Sequence, residues 1–109
     1  MFVLVDLAPQ PPVVTLEEPD DTQRFHGTVQ GGQRGADTAL VFGALVNAAA
    51  GRLEGDDAWI TVDAIRRLAA GRVDAGWDEE LAAMLDYADS KGWFDPATHA
   101  IRAHLVWSP

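Results

Sequence analysis

The segment that most constrains the fold of this chain is an apolar run from Thr38 to Ala50, with the sequence TALVFGALVNAAA. Its only polar side chains are those of Thr38 and Asn47, and it carries no charge. Alanine and leucine favour a helix, Asp37 can cap its start, and Gly51 can end it. A helix that is apolar on every side lies inside a core or packs against a partner, and this one is too short to span a bilayer.

Gly43 interrupts this predicted helix, and its presence leaves two interpretations open. A glycine inside a helix costs about 1 kcal/mol relative to alanine. Gly43 is therefore either a tolerated defect or a point where another backbone approaches closely.

The composition indicates one globular domain. The chain has 109 residues, of which 48% are hydrophobic and 23% charged, and it has no cysteine. The lack of cysteine excludes disulfides, thiolate metal ligands and a thiol nucleophile, and it fits a reducing cytoplasm. The net charge of −9 disfavours nucleic acid and acidic lipid as partners. We also expect no signal peptide and no membrane segment, because the first residues lack a basic region and no run is long enough.

The chain divides into an N-terminal arm, residues 1–21, and a single α+β domain, residues 22–109. The arm contains the apolar stretch Phe2–Val5, for which we expect an edge strand docked on the body, followed by a proline-rich and an acidic stretch. Residues Thr22–Gln30 alternate between polar and apolar side chains, which predicts a half-buried strand.

Two further helices and a C-terminal hairpin follow from the pattern after residue 57. Thr61 can cap a helix over Val62–Ala70, and Asp78 can cap an amphipathic helix over Glu79–Lys91. Short strands are expected at 58–60 and 93–94, and residues 101–107 alternate as a longer strand that pairs back on the one before it.

The order helix, short strand, helix, helix, hairpin resembles the winged-helix fold. The matching pieces are Trp59–Val62 leading into the second helix and the hairpin of residues 91–107, which resembles a wing. This resemblance implies a three-helix core with a C-terminal β-hairpin, to which the N-terminal strands are extra.

The resemblance also implies DNA binding through the third helix, but the residues of that helix oppose it. The role would fall on the exposed positions of Glu79–Lys91, where carboxylates predominate and Lys91 is the only base. Because DNA affinity depends on neutralising phosphates, we expect no DNA binding through this helix. Some winged-helix domains are protein-interaction modules, and that implication is retained.

Two groups of residues are candidates for binding a partner. The first is a possible protein interface built from large apolar and aromatic side chains: Phe42, Val46, Trp59 and Trp107. The alternative for the tryptophans is that they fasten the helices to the sheet. The second group is a basic patch that could face an anionic partner, or simply pair with nearby acids: Arg66, Arg67 and Arg72.

No pattern predicts catalysis, a metal or a cofactor. The spacing of His26, His99 and His104 matches no known metal site, and the glycine-rich loop GGQRG at 31–35 lacks the residues of a phosphate-binding loop. We therefore expect a small acidic interaction or dimerisation module without enzymatic activity. Two alternatives stay open: an atypical winged-helix transcriptional regulator that uses the basic patch, and a small-ligand-binding protein.

Overall fold

Alternation of buried and exposed side chains organises this chain into one mixed β-sheet. The computed structural model describes residues 1–108, and within them the chain forms seven strands and three helices. In chain order the elements are β1 (Phe2–Asp6), β2 (Val13–Glu17), β3 (His26–Gln30), α1 (Thr38–Asn47), β4 (Gly51–Glu54), β5 (Asp57–Thr61), α2 (Val62–Ala69), α3 (Trp77–Ser90), β6 (Phe94–Asp95) and β7 (Ala100–Ser108).

The sheet has the strand order β2-β1-β3-β7-β5-β4, and β6 pairs with β7 beside this path. β1 runs parallel to β3, and β3 parallel to β7, whereas all other pairs are antiparallel. The sheet curls into a half-barrel, and its edge strands are β2 and β4.

One face of the sheet carries the core, and the opposite face is open to solvent. The helices pack against the inner face: α1 contacts β1, β2 and β4, α2 contacts β2 and β5, and α3 contacts β6. The core joins inward side chains of the strands to those of the helices, among them Val3, Val5, Leu16, Val29, Leu105, Val41, Leu45, Ile65 and Leu81. No helix within residues 1–108 is long and apolar enough to cross a membrane.

All three predicted helices form, with small differences at their ends. Thr61 caps α2 as predicted, because its hydroxyl accepts a hydrogen bond of 3.2 Å from the Ala64 N–H. Asp37 stands at the N-cap position of α1, but its carboxylate accepts from the Gln33 N–H at 2.8 Å instead of from the helix. The third helix starts at Trp77, two residues before the predicted start, so Asp78 lies in its first turn.

The winged-helix resemblance is wrong. The three helices do not form a core of their own, because each packs its apolar side on the sheet. The class is α+β as expected, but the architecture is a curled seven-stranded sheet with three helices and has no C-terminal wing. The alternative function, an atypical winged-helix transcriptional regulator, therefore has no winged-helix fold to support it.

Strand pairing explains the difference. The strand predicted at 101–107 exists as β7, yet its expected hairpin partner β6 has only two residues. β7 instead lies at the centre of the sheet, where its first half pairs with β5 and its second half with β3. Residues 51–54, predicted as a helix end and a loop, form β4, and the 1–21 segment supplies β1 and β2, with β2 rather than β1 at the sheet edge.

Candidate interaction surface

Helix α1 buries one side in the core and exposes an equally apolar side. Val41, Ala44 and Leu45 are buried. Away from the core three large apolar side chains are exposed: Phe42 and Val46, at 51% and 52%, are neighbours on one flank of the helix, and Leu40, at 52%, lies on the other flank. The sheet therefore buries only one side of α1. Because α1 is apolar on all sides, its other side leaves apolar surface exposed to water.

The exposed side of α1 is also free of charge. Between Thr38 and Asn47 the sequence contains no acidic or basic residue, in a chain whose net charge is −9. By contrast, the first turn of α3 presents three exposed carboxylates, those of Asp78, Glu79 and Glu80. An apolar and uncharged patch is thus set in a strongly anionic molecule.

Gly43 lies on this exposed side. A Cβ placed on Gly43 would meet no atom within 4 Å outside the helix's own backbone and its chain neighbours, so no other described segment approaches it closely. The missing side chain leaves a notch in the helix surface next to Phe42.

The four candidate interface residues do not form one surface. Phe42 and Val46 share the exposed side of α1, whereas the two tryptophans lie on opposite faces of the sheet. Trp59 is directly opposite Arg102, which is exposed on the solvent face, while Trp107 follows the inward Leu105 by two residues. Both tryptophans are half-buried, and Trp107 packs against the core. Their role at an interface stays a prediction.

The solvent face of the sheet carries alternating guanidinium and indole groups around Trp59. Arg52 lies over the Trp59 ring at 5.2 Å, and Arg102 lies over the Trp93 ring at 5.4 Å. Each guanidinium also has an acidic partner. Arg52 lies 3.1 Å from the Asp95 carboxylate, and Arg102 lies 3.8 Å from that of Asp57 in β5. These contacts hold the side chains against the sheet.

Two of the three basic-patch residues make contacts at the ends of helices. Arg66 forms an ion pair with Asp78 and so links α2 to α3. Arg67 donates from Nη2 to the Ala48 carbonyl at 2.6 Å, just after the end of α1. A guanidinium at that position stabilises the negative end of a helix.

Arg72 connects α2 to the edge strand β2. Its Nη1 donates to the Leu16 carbonyl at 2.6 Å and to the Leu68 carbonyl at 3.2 Å. All three arginines of the basic patch therefore have partners within the chain, and their binding of an anionic partner stays a prediction.

The histidines do not form a metal site in the part of the chain that the structure describes. No three histidine, aspartate or glutamate side chains among residues 1–108 come together as metal ligands. His26 stacks on Phe2 in the solvent face, His99 lies in the turn before β7, and His104 Nδ1 lies 3.2 Å from Asp57.

A cleft of about 560 Å³ lies between the segment before β3 and helix α3. It is lined by Thr22, Gln23, Glu80, Ala83, Met84 and Tyr87. These residues bring several polar groups to an open groove, but no described contact assigns a ligand to it.

Comparison of the chain with protein-family models, with curated proteins and with solved structures gives no match. Two features were not predicted from the sequence, the exposure of Leu40 and the edge strand β4. Leu40 belongs to a helix that was expected to be buried on every side. The alternation of residues 52–54 is too short a pattern to distinguish a strand from a turn.

Proposed function

We propose that this chain is a non-catalytic protein-interaction module, and that it associates with a second copy of itself through the exposed side of α1. The observation that carries the proposal is the adjacent pair of half-exposed apolar side chains Phe42 and Val46, on a helix without charge that also exposes Leu40 on its other flank. Exposed apolar surface grouped in this way is typical of protein contact sites.

The charge of the chain favours a second copy meeting it at this patch. Two molecules of net charge −9 repel each other, so they associate best where both surfaces are uncharged. A twofold dimer places the same patch on both sides of the contact, and the exposed side of α1 then meets its equal. In such a contact the notch at Gly43 can receive Phe42 or Val46 of the second copy.

The proposal needs no cofactor and no membrane. The lack of cysteine fits a reducing compartment, and we place the protein in the cytoplasm on that ground.

Light scattering coupled to size-exclusion chromatography tests the proposal. We expect a mass near twice 11.7 kDa at high protein concentration. Loading at about 10 μM and at about 500 μM covers the affinities of small, weak interfaces. A mass of one chain at both concentrations would contradict the self-association.

A matched pair of variants tests the location of the contact. Val46→Lys puts a charge into the patch, and we expect dimer affinity to fall by about tenfold or more because a buried ammonium must lose its hydration. Val106→Lys is the control, since Val106 is 51% exposed, like Val46 at 52%, but lies on the solvent face of the sheet. Equal loss of affinity in both variants would place the contact elsewhere.

A further inference from the structure

The edge strand β4 has peptide groups that point away from the sheet. The Thr61 N–H donates to the Ala50 carbonyl at 2.9 Å, and the Leu105 N–H donates to the Asp56 carbonyl at 3.2 Å. Because antiparallel partners exchange hydrogen bonds at every second residue, the peptide groups of Arg52 face β5. The peptide groups of Leu53 and Gly51 then point outward, away from β5.

The two edges of the sheet differ in how they are covered. At β2, Arg72 occupies the Leu16 carbonyl, and the Trp77 indole N–H donates to the Pro19 carbonyl just beyond the strand. At β4, neither the N–H nor the carbonyl of Leu53 has a hydrogen-bond partner among residues 1–108 outside the sheet ladder. Unpaired peptide groups face water unless another chain pairs with them, so β4 is an edge that can accept a further strand, and no side chain of the described residues caps its outward groups as Arg72 caps the Leu16 carbonyl of β2.

The side chains of β4 make this edge complementary to itself. When two copies of β4 run antiparallel with Leu53 opposite Leu53, Arg52 of each copy lies opposite Glu54 of the other. Arg52 and Glu54 are on the solvent face, and Leu53 is on the inner face, opposite the buried Ala58 of β5. Within each copy Arg52 already lies 3.6 Å from Glu54 and 3.1 Å from Asp95, so the pairing extends existing ion pairs across the seam and adds one pair of leucines.

Other registers fit less well. A shift by one residue would pair inner side chains with outer ones. Placing Arg52 opposite Arg52 would bring two guanidiniums together and would require peptide groups that already bond to β5. The register centred on Leu53 is the one that uses the outward peptide groups and pairs opposite charges.

We propose that two copies of this chain join at β4, antiparallel and centred on Leu53, so that the sheet continues from one copy into the other. This inference rests on the proposed self-association and specifies its geometry. A stable interface takes about 20–30 residues from each side, more than one ten-residue helix offers. α1 contacts β4 and lies on the same side of the sheet as Leu53, so a pairing at β4 brings the two copies of α1 to the same side of the joined sheet.

A single introduced cysteine tests the seam. The chain has none of its own, so Leu53→Cys gives one thiol per molecule. Directly opposite residues in a hydrogen-bonded pair have Cα atoms about 5.5 Å apart, within the range of a disulfide. We expect mild oxidation to convert Leu53→Cys to a covalent dimer on a non-reducing gel, while Val106→Cys, which is exposed on the solvent face, stays monomeric.

Charge reversal tests the same seam without altering the half-buried leucine. Glu54→Arg puts an arginine opposite Arg52 of the second copy, and we expect the dimer to weaken by about tenfold or more. Glu79→Arg makes the same change of charge on exposed α3 and leaves the affinity unchanged or slightly higher. The double variant Arg52→Glu with Glu54→Arg restores opposite charges across the seam but gives up the contacts of Arg52 to Trp59 and Asp95, so we expect it to recover part of the affinity lost in Glu54→Arg.

The outcomes separate this inference from the proposed function. A doubled mass without the Leu53→Cys crosslink, and with Glu54→Arg no weaker than Glu79→Arg, overturns the β4 seam while the dimer stands. A mass of one chain at every concentration overturns both. Crosslinking of Leu53→Cys together with rescue by the double charge reversal supports the seam.

Discussion

His26 gives this protein a small dependence of stability on pH. Its ring stacks on Phe2 at a centroid distance of 5.0 Å on β3. Desolvation of the ring lowers its pKa below the usual 6.5, and the positive charges of the Met1 ammonium and Arg24 act in the same direction. Between the lowered pKa and 6.5 the unfolded chain binds more protons than the folded one, so the free energy of unfolding rises with pH in this window.

The variant His26→Gln isolates this contribution because glutamine does not titrate. Urea unfolding at several values between about pH 5 and about pH 7.5 spans the titration of a histidine. We expect the unfolding free energy of the wild type, measured relative to the variant, to increase with rising pH and to level off above 6.5. A relative free energy that falls with pH would contradict the lowered pKa.

The roles of single arginines could not be predicted from the sequence, since their partners are distant along the chain. The pattern identified Arg66 and Arg67 as outward residues of the second helix and Arg72 as part of the loop after it, and all three are exposed at these places in the structure. It could not identify the carbonyls of Ala48 and Leu16, which lie 19 and 56 residues away. Local periodicity determines which side of an element a residue occupies, but not what it meets.

At the scale of elements, Trp77 fastens the start of α3 to the segment after β2. Its side chain is 4% exposed, and its indole N–H donates to the carbonyl of the buried Pro19 at 2.6 Å. We expect Trp77→Phe to lower the unfolding free energy by about 1–3 kcal/mol, because the Pro19 carbonyl loses its only described donor. Denaturant unfolding measures this change.

Trp93→Phe is the matched control for the loss of ring volume. Trp93 is half-buried at the start of the C-terminal segment and packs against Tyr87 and Arg102, and no hydrogen bond from its indole N–H is found in residues 1–108. Its substitution should cost less than that of Trp77. A cost for Trp93→Phe equal to or above that of Trp77→Phe would show that ring packing, rather than the hydrogen bond, fixes α3.

The elements themselves were more predictable than their arrangement. Helices α2 and α3 follow from apolar periodicity and α1 from its helix-forming apolar composition, signals that act within a few residues, although of the three predicted caps only Thr61 accepts a hydrogen bond from its helix. The strand β7 was also evident, but its two long neighbours, β3 and β5, come from far earlier in the chain, and no local pattern selects them. Because the hairpin partner was assumed to be adjacent, a central strand was predicted as a wing, and the sheet edge at β4 was missed.

At the scale of the whole molecule, the net charge of −9 opposes association, and salt screens that opposition. The screening length falls from about 30 Å at 0.01 M salt to about 8 Å at 0.15 M. The two pairs of opposite charges across the proposed seam are local, and the repulsion between two anionic molecules is expected to outweigh them. We therefore expect the dimer to tighten, by about threefold or more, when NaCl rises over this range.

Sedimentation equilibrium at a series of salt concentrations measures this trend, and Val46→Lys separates it from the apolar contact. The variant should be weaker at every salt concentration and keep the same direction of salt dependence, because one added positive charge hardly alters the total. Weaker association at higher salt would contradict the expectation that repulsion between the two anionic copies dominates. It would mean that complementary charges hold the copies together, for example the arginines of the basic patch and the acidic start of α3. The apolar side of α1 would then no longer explain the contact.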